Sequence, residues 1–155
     1  MLTLFSVAIA EAEWPYDDES FAGGQSVPVE IGARVGYDYD GETTSAGGQL
    51  CVPIGRGGRF IIVPSSDIYF DGEGVDWQAN VDVMMSPGPR GGFYAGLGFG
   101  WAKDDGDRNR AVNQVIGLRL PLSGLWAYAE GRWTELERGT AIRVVGGLNI
   151  PLFRY

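Results

Sequence analysis

A chain of 155 residues is enough for one domain and short of two, and 45% hydrophobic against 21% charged residues excludes disorder as its main state. Twenty acids against twelve bases, a net charge of −8, disfavour a nucleic-acid partner, and the lack of histidine removes the usual general base, the serine and cysteine nucleophile pairs and His-ligated metals. One cysteine, Cys51, allows neither an internal disulfide nor a Cys-cluster zinc site, so no enzyme activity, cofactor or metal is expected.

Residues 1–12 read as the remnant of a secretory signal: an apolar run from Leu2 to Ala10, with Ala-x-Ala steps at Ala8 to Ala10 and Ala10 to Ala12. Residues 13–26 form an acidic lead segment carrying Trp14-Pro15-Tyr16. From 27 to 155 apolar residues fall on alternate positions, the period of a strand. The first ladder is Val27 to Tyr39, with Glu30, Arg34 and Asp38 on its polar face. Others follow at about Thr44 to Ile54, Arg59 to Phe70 (blurred by Ile61 and Val63), Val75 to Met85, Phe93 to Trp101, Val112 to Leu122, Leu125 to Trp133 and Ile142 to Leu152. Tight Gly- and Pro-rich turns at Gly55 to Gly58, Pro87 to Gly92 and Ser123-Gly124 alternate with acidic loops at Asp40 to Ser45, Asp71 to Gly74, Lys103 to Asn109 and Glu135 to Gly139. Eight strands with short links and no helix predict an all-β antiparallel up-and-down meander that closes on itself.

Alternation fits two opposite objects, a soluble lipocalin-like carrier with its apolar face inside and a transmembrane barrel with that face outside. Strand length favours the membrane, since the ladders reach the ~9 to 11 residues a tilted strand needs to cross a bilayer. The polar face is built from Gly, Asn, Gln, Asp, Arg and Tyr, and the only lysine, Lys103, lies in a loop. A water-facing surface would use Lys and Glu freely. Aromatics gather at strand ends: Tyr37, Tyr39, Phe70, Trp77, Trp101 and Trp133 beside the acidic loops, and Phe60, Phe93, Trp126, Phe153 and Tyr155 beside the tight turns. Two such belts are what the two bilayer interfaces select.

On this pattern, and on the terminal Phe153-Arg154-Tyr155, the stretch from Val27 to Tyr155 resembles the small eight-stranded outer-membrane barrels of Gram-negative bacteria, of the OmpA transmembrane-domain, OmpX and OmpW type. The resemblance implies an outer-membrane monomer surrounded by lipids and lipopolysaccharide and delivered by the outer-membrane assembly machinery, for which a terminal aromatic is typical. Leu148, Ile150 and Leu152 have the opposite parity to Tyr155, so a phase change near Pro151 is required. Lipid A acyl-editing members of the family rely on histidine, which this chain lacks.

The polar face collects Glu30, Arg34, Asp67, Asp82, Arg119, Glu130, Arg132 and Arg143. Eight strands leave room for side chains and little else, so packed ion pairs are expected, with Glu130 as the hub among Arg119, Arg132 and Arg143, and with Arg34 in a less crowded place. The glycines of Gly96-Leu97-Gly98-Phe99-Gly100 alternate within a strand and fit small lumen residues better than a phosphate loop. Asp104-Asp105-Gly106-Asp107 and Asp71-Gly72-Glu73 fit no complete Ca²⁺ loop and read as solvated acidic loops. The role expected is structural: a membrane anchor presenting short loops, with a narrow or gated pore for small solutes as the alternative and a soluble carrier of an apolar ligand as the second.

Overall fold

The computed structural model describes residues 27–55, 58–70, 75–86, 91–104, 107–137 and 139–153. They form eight strands: β1 (Val29–Asp38), β2 (Thr43–Ile54), β3 (Phe60–Phe70), β4 (Val75–Met85), β5 (Gly92–Asp104), β6 (Asp107–Leu122), β7 (Leu125–Leu136) and β8 (Gly139–Phe153). Each pairs antiparallel with the next, and β8 pairs with β1 to close an eight-stranded barrel. Closure satisfies the backbone of both outer strands and leaves no sheet edge. The expected signal remnant, the lead segment, the loop at 71–74 and the last two residues lie outside the described residues.

At Ser123-Gly124 both residues have positive φ, 45° and 90°, the mirror-image turn whose twist suits a two-residue hairpin. This turn joins Leu122 to Leu125. At the other end the strands run further than the sequence pattern predicts. Lys103 and Asp104 pair with Arg108 and Asp107, so most of the expected loop from Lys103 to Asn109 is strand. Thr43 belongs to β2, and β7 and β8 leave only two residues between Leu136 and Gly139. Backbone pairing continues there after the outward side chains change from apolar to charged, and hydrophobic alternation cannot register that.

The walls are inverted relative to a water-soluble domain. Outward side chains such as Val35, Phe93, Leu97 and Phe99 are 65–71% exposed, whereas inward Asp82, Asn113 and Thr134 are 0% exposed. One inward region is apolar: Cys51, Ile61, Val63, Met84 and Val115 pack together near the tight turns. Ile61 and Val63 therefore blur the alternation of β3, because that stretch is apolar on both faces. A register shift between Val29 and Glu30 sets Glu30 opposite Pro151 but Val29 opposite Phe153. This irregularity lies where the terminal sequence requires a phase change.

Candidate functional site

The inward glycines of the strands make room for contacts across the lumen. Adjacent strands lie about 4.8 Å apart, so side chains on next-but-one strands meet only where the strand between them carries no bulk. Gly32 lies between Gln49 and Asn149, and Gln49 Nε2 donates to Asn149 Oδ1 at 3.0 Å. Gly47 separates Arg34 from Asp67, which form an ion pair at 2.9 Å. Across Gly98, Asn113 Nδ2 donates to Asp82 Oδ1 at 3.0 Å. Across Gly117, Tyr94 OH donates to Glu130 Oε1 at 2.7 Å, with the Tyr94 ring where a Cβ of Gly117 would stand. At Gly96 the row is apolar, Met84 meeting Val115 within the inner cluster.

Four lumen arginines divide the charges into four groups. Arg132 bridges two carboxylates, with Nε on Glu130 Oε2 and Nη2 on Asp82 Oδ2, both at 2.8 Å. Arg143 pairs with Asp38 at 2.6 Å and also bonds Gln78 Oε1, while its guanidinium lies 4.8 Å from the Tyr69 ring. Arg119 pairs with Glu30 at 2.5 Å, and Arg34 bonds Gln49 as well as Asp67. Asn113, Asn80, Gln78 and Thr134 link the first two groups into one network.

This arrangement corrects the expected hub. Of the residues expected to cluster, Glu130, Arg132 and Asp82 are together, but Arg119 and Arg143 are held elsewhere by Glu30 and Asp38, and the shared partner is the cation Arg132. Arg34 is buried and held by Asp67 and Gln49, not uncrowded. Sequence reasoning left Asp38 out of the charge set although its parity with Arg34 put it on the same face.

Near the tight turns the lumen is looser. A cavity of about 30 Å³, room for about one water, lies among Cys51, Ile61, Val63, Met84, Tyr94 and Tyr128. Glu30 Oε2, Arg119 Nε and Tyr128 OH are buried there without a hydrogen-bond partner among the described residues.

On the outside, Tyr37, Tyr39, Phe70, Trp101 and Trp133 are exposed at the loop end, with Trp77 half-buried beside them, and Phe60 and Phe93 are exposed at the turn end. The rings of Tyr37 and Tyr39 meet edge to face at 5.1 Å. Trp126 does not belong to this belt. It shares parity with Tyr128 and Glu130, and its ring lies inside the mouth under the Arg119 guanidinium, 4.0 Å from it. Position at a strand end suggested an interface residue, but parity decides which way a strand residue points. Phe153 is placed as backbone opposite Val29, and Tyr155 lies outside the described residues.

No family model matches the chain, and no curated protein sequence does. Among solved structures, a chain described as a de novo design of transmembrane beta-barrels superposes with a TM-score of 0.55 at 13% identity, over 83% of this chain and 96% of that one. At that identity the likeness establishes the eight-stranded barrel fold.

Proposed function

We propose that the barrel spans the outer membrane of a Gram-negative envelope as a non-catalytic, monomeric structural anchor that holds short acidic turns at the surface. The observation that carries this reading is the inverted wall, with apolar side chains outside and buried ion pairs inside. A continuous apolar exterior is stable in hydrocarbon and a liability in water. Outward aromatics at both ends fit the two lipid–water interfaces, and the structural neighbour is itself a transmembrane design. Outer-membrane lipids and lipopolysaccharide would contact the apolar band, the assembly machinery would insert it, and nucleic acid is no partner. A polar interior also speaks against a carrier of an apolar ligand, and the ion-paired lumen against a conducting pore.

The test is membrane fractionation followed by gels of unheated and boiled samples. A closed barrel in the membrane fraction migrates differently before and after boiling. Recovery in the soluble fraction would sink the membrane reading. Steady ion-selective conductance in planar bilayers would replace the anchor with a pore.

A further inference from the structure

The two ends of the barrel differ in charge. Exposed Asp40, Glu42, Asp76, Glu135 and Glu137 lie at the loop end. At the tight-turn end Arg59 is exposed, and apart from Glu30, which Arg119 holds, no acid lies there among the described residues. The sequence of the tight connections at this end adds Arg56 and Arg90 and no acid. Residues 13–26 have the reverse composition, with Glu13, Asp17, Asp18 and Glu19 and neither lysine nor arginine. They join the barrel at its basic end, because β1 starts there, with Val29 opposite Phe153.

Where the chain enters, it leans over the neighbouring hairpin. Val27 lies against Gly58 in the β2–β3 turn, its Cγ2 2.6 Å from where a Cβ of Gly58 would stand. Three residues on, or about 10 Å along the chain, Glu30 meets Arg119. The Arg119 guanidinium reaches from β6 across to β1 and lies over the ring of Trp126, 4.0 Å away. Trp126 is half-buried, and its edge stands 3.3 Å from where a Cβ of Gly91 would be. Arg119 and Trp126 thus form a platform across the mouth, close to the point where residues 13–26 attach. The reach also fits. Asp17, Asp18 and Glu19 stand eight to ten residues before Val27, and a chain of that length spans roughly 16 Å. An eight-stranded mouth, with tilted strands about 4.8 Å apart, is about as wide.

We propose that residues 13–26 fold back over the tight-turn mouth and cover it. Asp17, Asp18 and Glu19 face the arginines of that end, Arg59 among them, and the stretch that follows lies across the Arg119–Trp126 platform. Opposite charges draw the segment to this end rather than to the acidic loops. Tethering holds it at an effective concentration of about 1 mM, so contacts too weak to join separate molecules keep the mouth covered. The inference goes beyond the anchor reading and holds whichever side of the membrane this mouth faces.

The test uses the full chain in phosphatidylcholine vesicles, with Ser20→Cys labelled by bimane, a fluorophore that tryptophan quenches on contact. Cys51 is buried, so the label goes to position 20. Trp126→Phe should raise the bimane emission by about twofold or more, the result for a site occupied at least half the time. Trp101→Phe, at the loop end, should leave it unchanged. Asp17→Asn, Asp18→Asn and Glu19→Gln together should raise it as far as Trp126→Phe does, because the arginines no longer hold the segment. If Trp126→Phe does not fold, this charge variant alone is read the same way. Emission unchanged by Trp126→Phe overturns the cover, and a Trp126 effect that survives the charge variant overturns the arginine contacts that hold it. Loss of quenching when phosphatidylglycerol replaces phosphatidylcholine gives the arginines to lipid headgroups and overturns the proposal as well. None of these outcomes bears on whether the barrel spans the membrane, which fractionation tests.

Discussion

The two halves of the lumen are lined by the same strands with the same parity, yet they are held together differently. Toward the loops, Asp82, Arg132, Asn113, Gln78 and Arg143 form a continuous polar network. Toward the tight turns, Cys51, Ile61, Val63 and Met84 form an apolar floor beside a small cavity. The upper half depends on each partner being present, because an unpaired buried charge is costly. Packing in the lower half should tolerate change, since apolar contacts are non-directional and there is already space.

The largest expected effect is at the centre of the upper half. Arg132→Met leaves Asp82 and Glu130 buried without their shared cation, a loss of about 3 to 5 kcal/mol read by urea unfolding in detergent or lipid. Glu130→Gln should cost less, because Asp82 still neutralises Arg132. The reverse order would make Glu130 the hub after all. A charge on the outer wall comes next: Val81→Arg places a guanidinium on the exposed apolar face and should cost roughly 2 to 4 kcal/mol in lipid vesicles. A harmless Val81→Arg would remove the lipid from that face.

Much of this architecture is legible in the sequence, because a period of two shows both the strands and their two faces, and polar parity names nearly all the lumen residues. Partnership across the lumen is not legible. Arg132 reaches from β7 to Asp82 on β4, and Arg119 from β6 to Glu30 on β1, contacts set by the curvature of the closed sheet and invisible in any local pattern. Partnership over a glycine is partly legible, since once the register is known Gly47 and Gly117 announce which side chains meet above them. Trp126 is a different case: it stands at a strand end, but it shares parity with Tyr128 and Glu130, and parity decides that its ring points inward.

Glycine substitutions sharpen the contrast between crowded interior and open exterior. A Cβ at Gly98 would meet Asp82 Oδ1, with Val81 O at 2.6 Å and Asp82 Cα at 2.7 Å, so backbone must move. Gly98→Ala should cost about 1 to 3 kcal/mol. At Gly48, which faces outward, the nearest atom is Gly32 O at 3.5 Å, and Gly48→Ala should fall within about 0.5 kcal/mol of wild type or slightly above it. Equal losses at the two positions in the same urea titration would mean that strand entropy, not lumen space, explains the inward glycines.

The finest comparison is between two tyrosines built alike. Tyr94 lies over Gly117 and Tyr128 over Gly147, each ring occupying the room that the neighbouring strand's glycine leaves. Their hydroxyls differ: Tyr94 OH donates to the Glu130 carboxylate at 2.7 Å, whereas Tyr128 OH is buried with no partner among the described residues and faces the cavity. Tyr94→Phe removes a hydrogen bond to a charged acceptor and should cost about 1.5 kcal/mol. Tyr128→Phe keeps the ring over its glycine and removes a hydroxyl that gains nothing in the fold, so its stability should fall by less than about 0.5 kcal/mol or rise. A loss at Tyr128 as large as that at Tyr94 would require a partner for its hydroxyl, and the cavity beside it has room for one water in that role. The floor would then be as dependent on satisfied polar groups as the network above it.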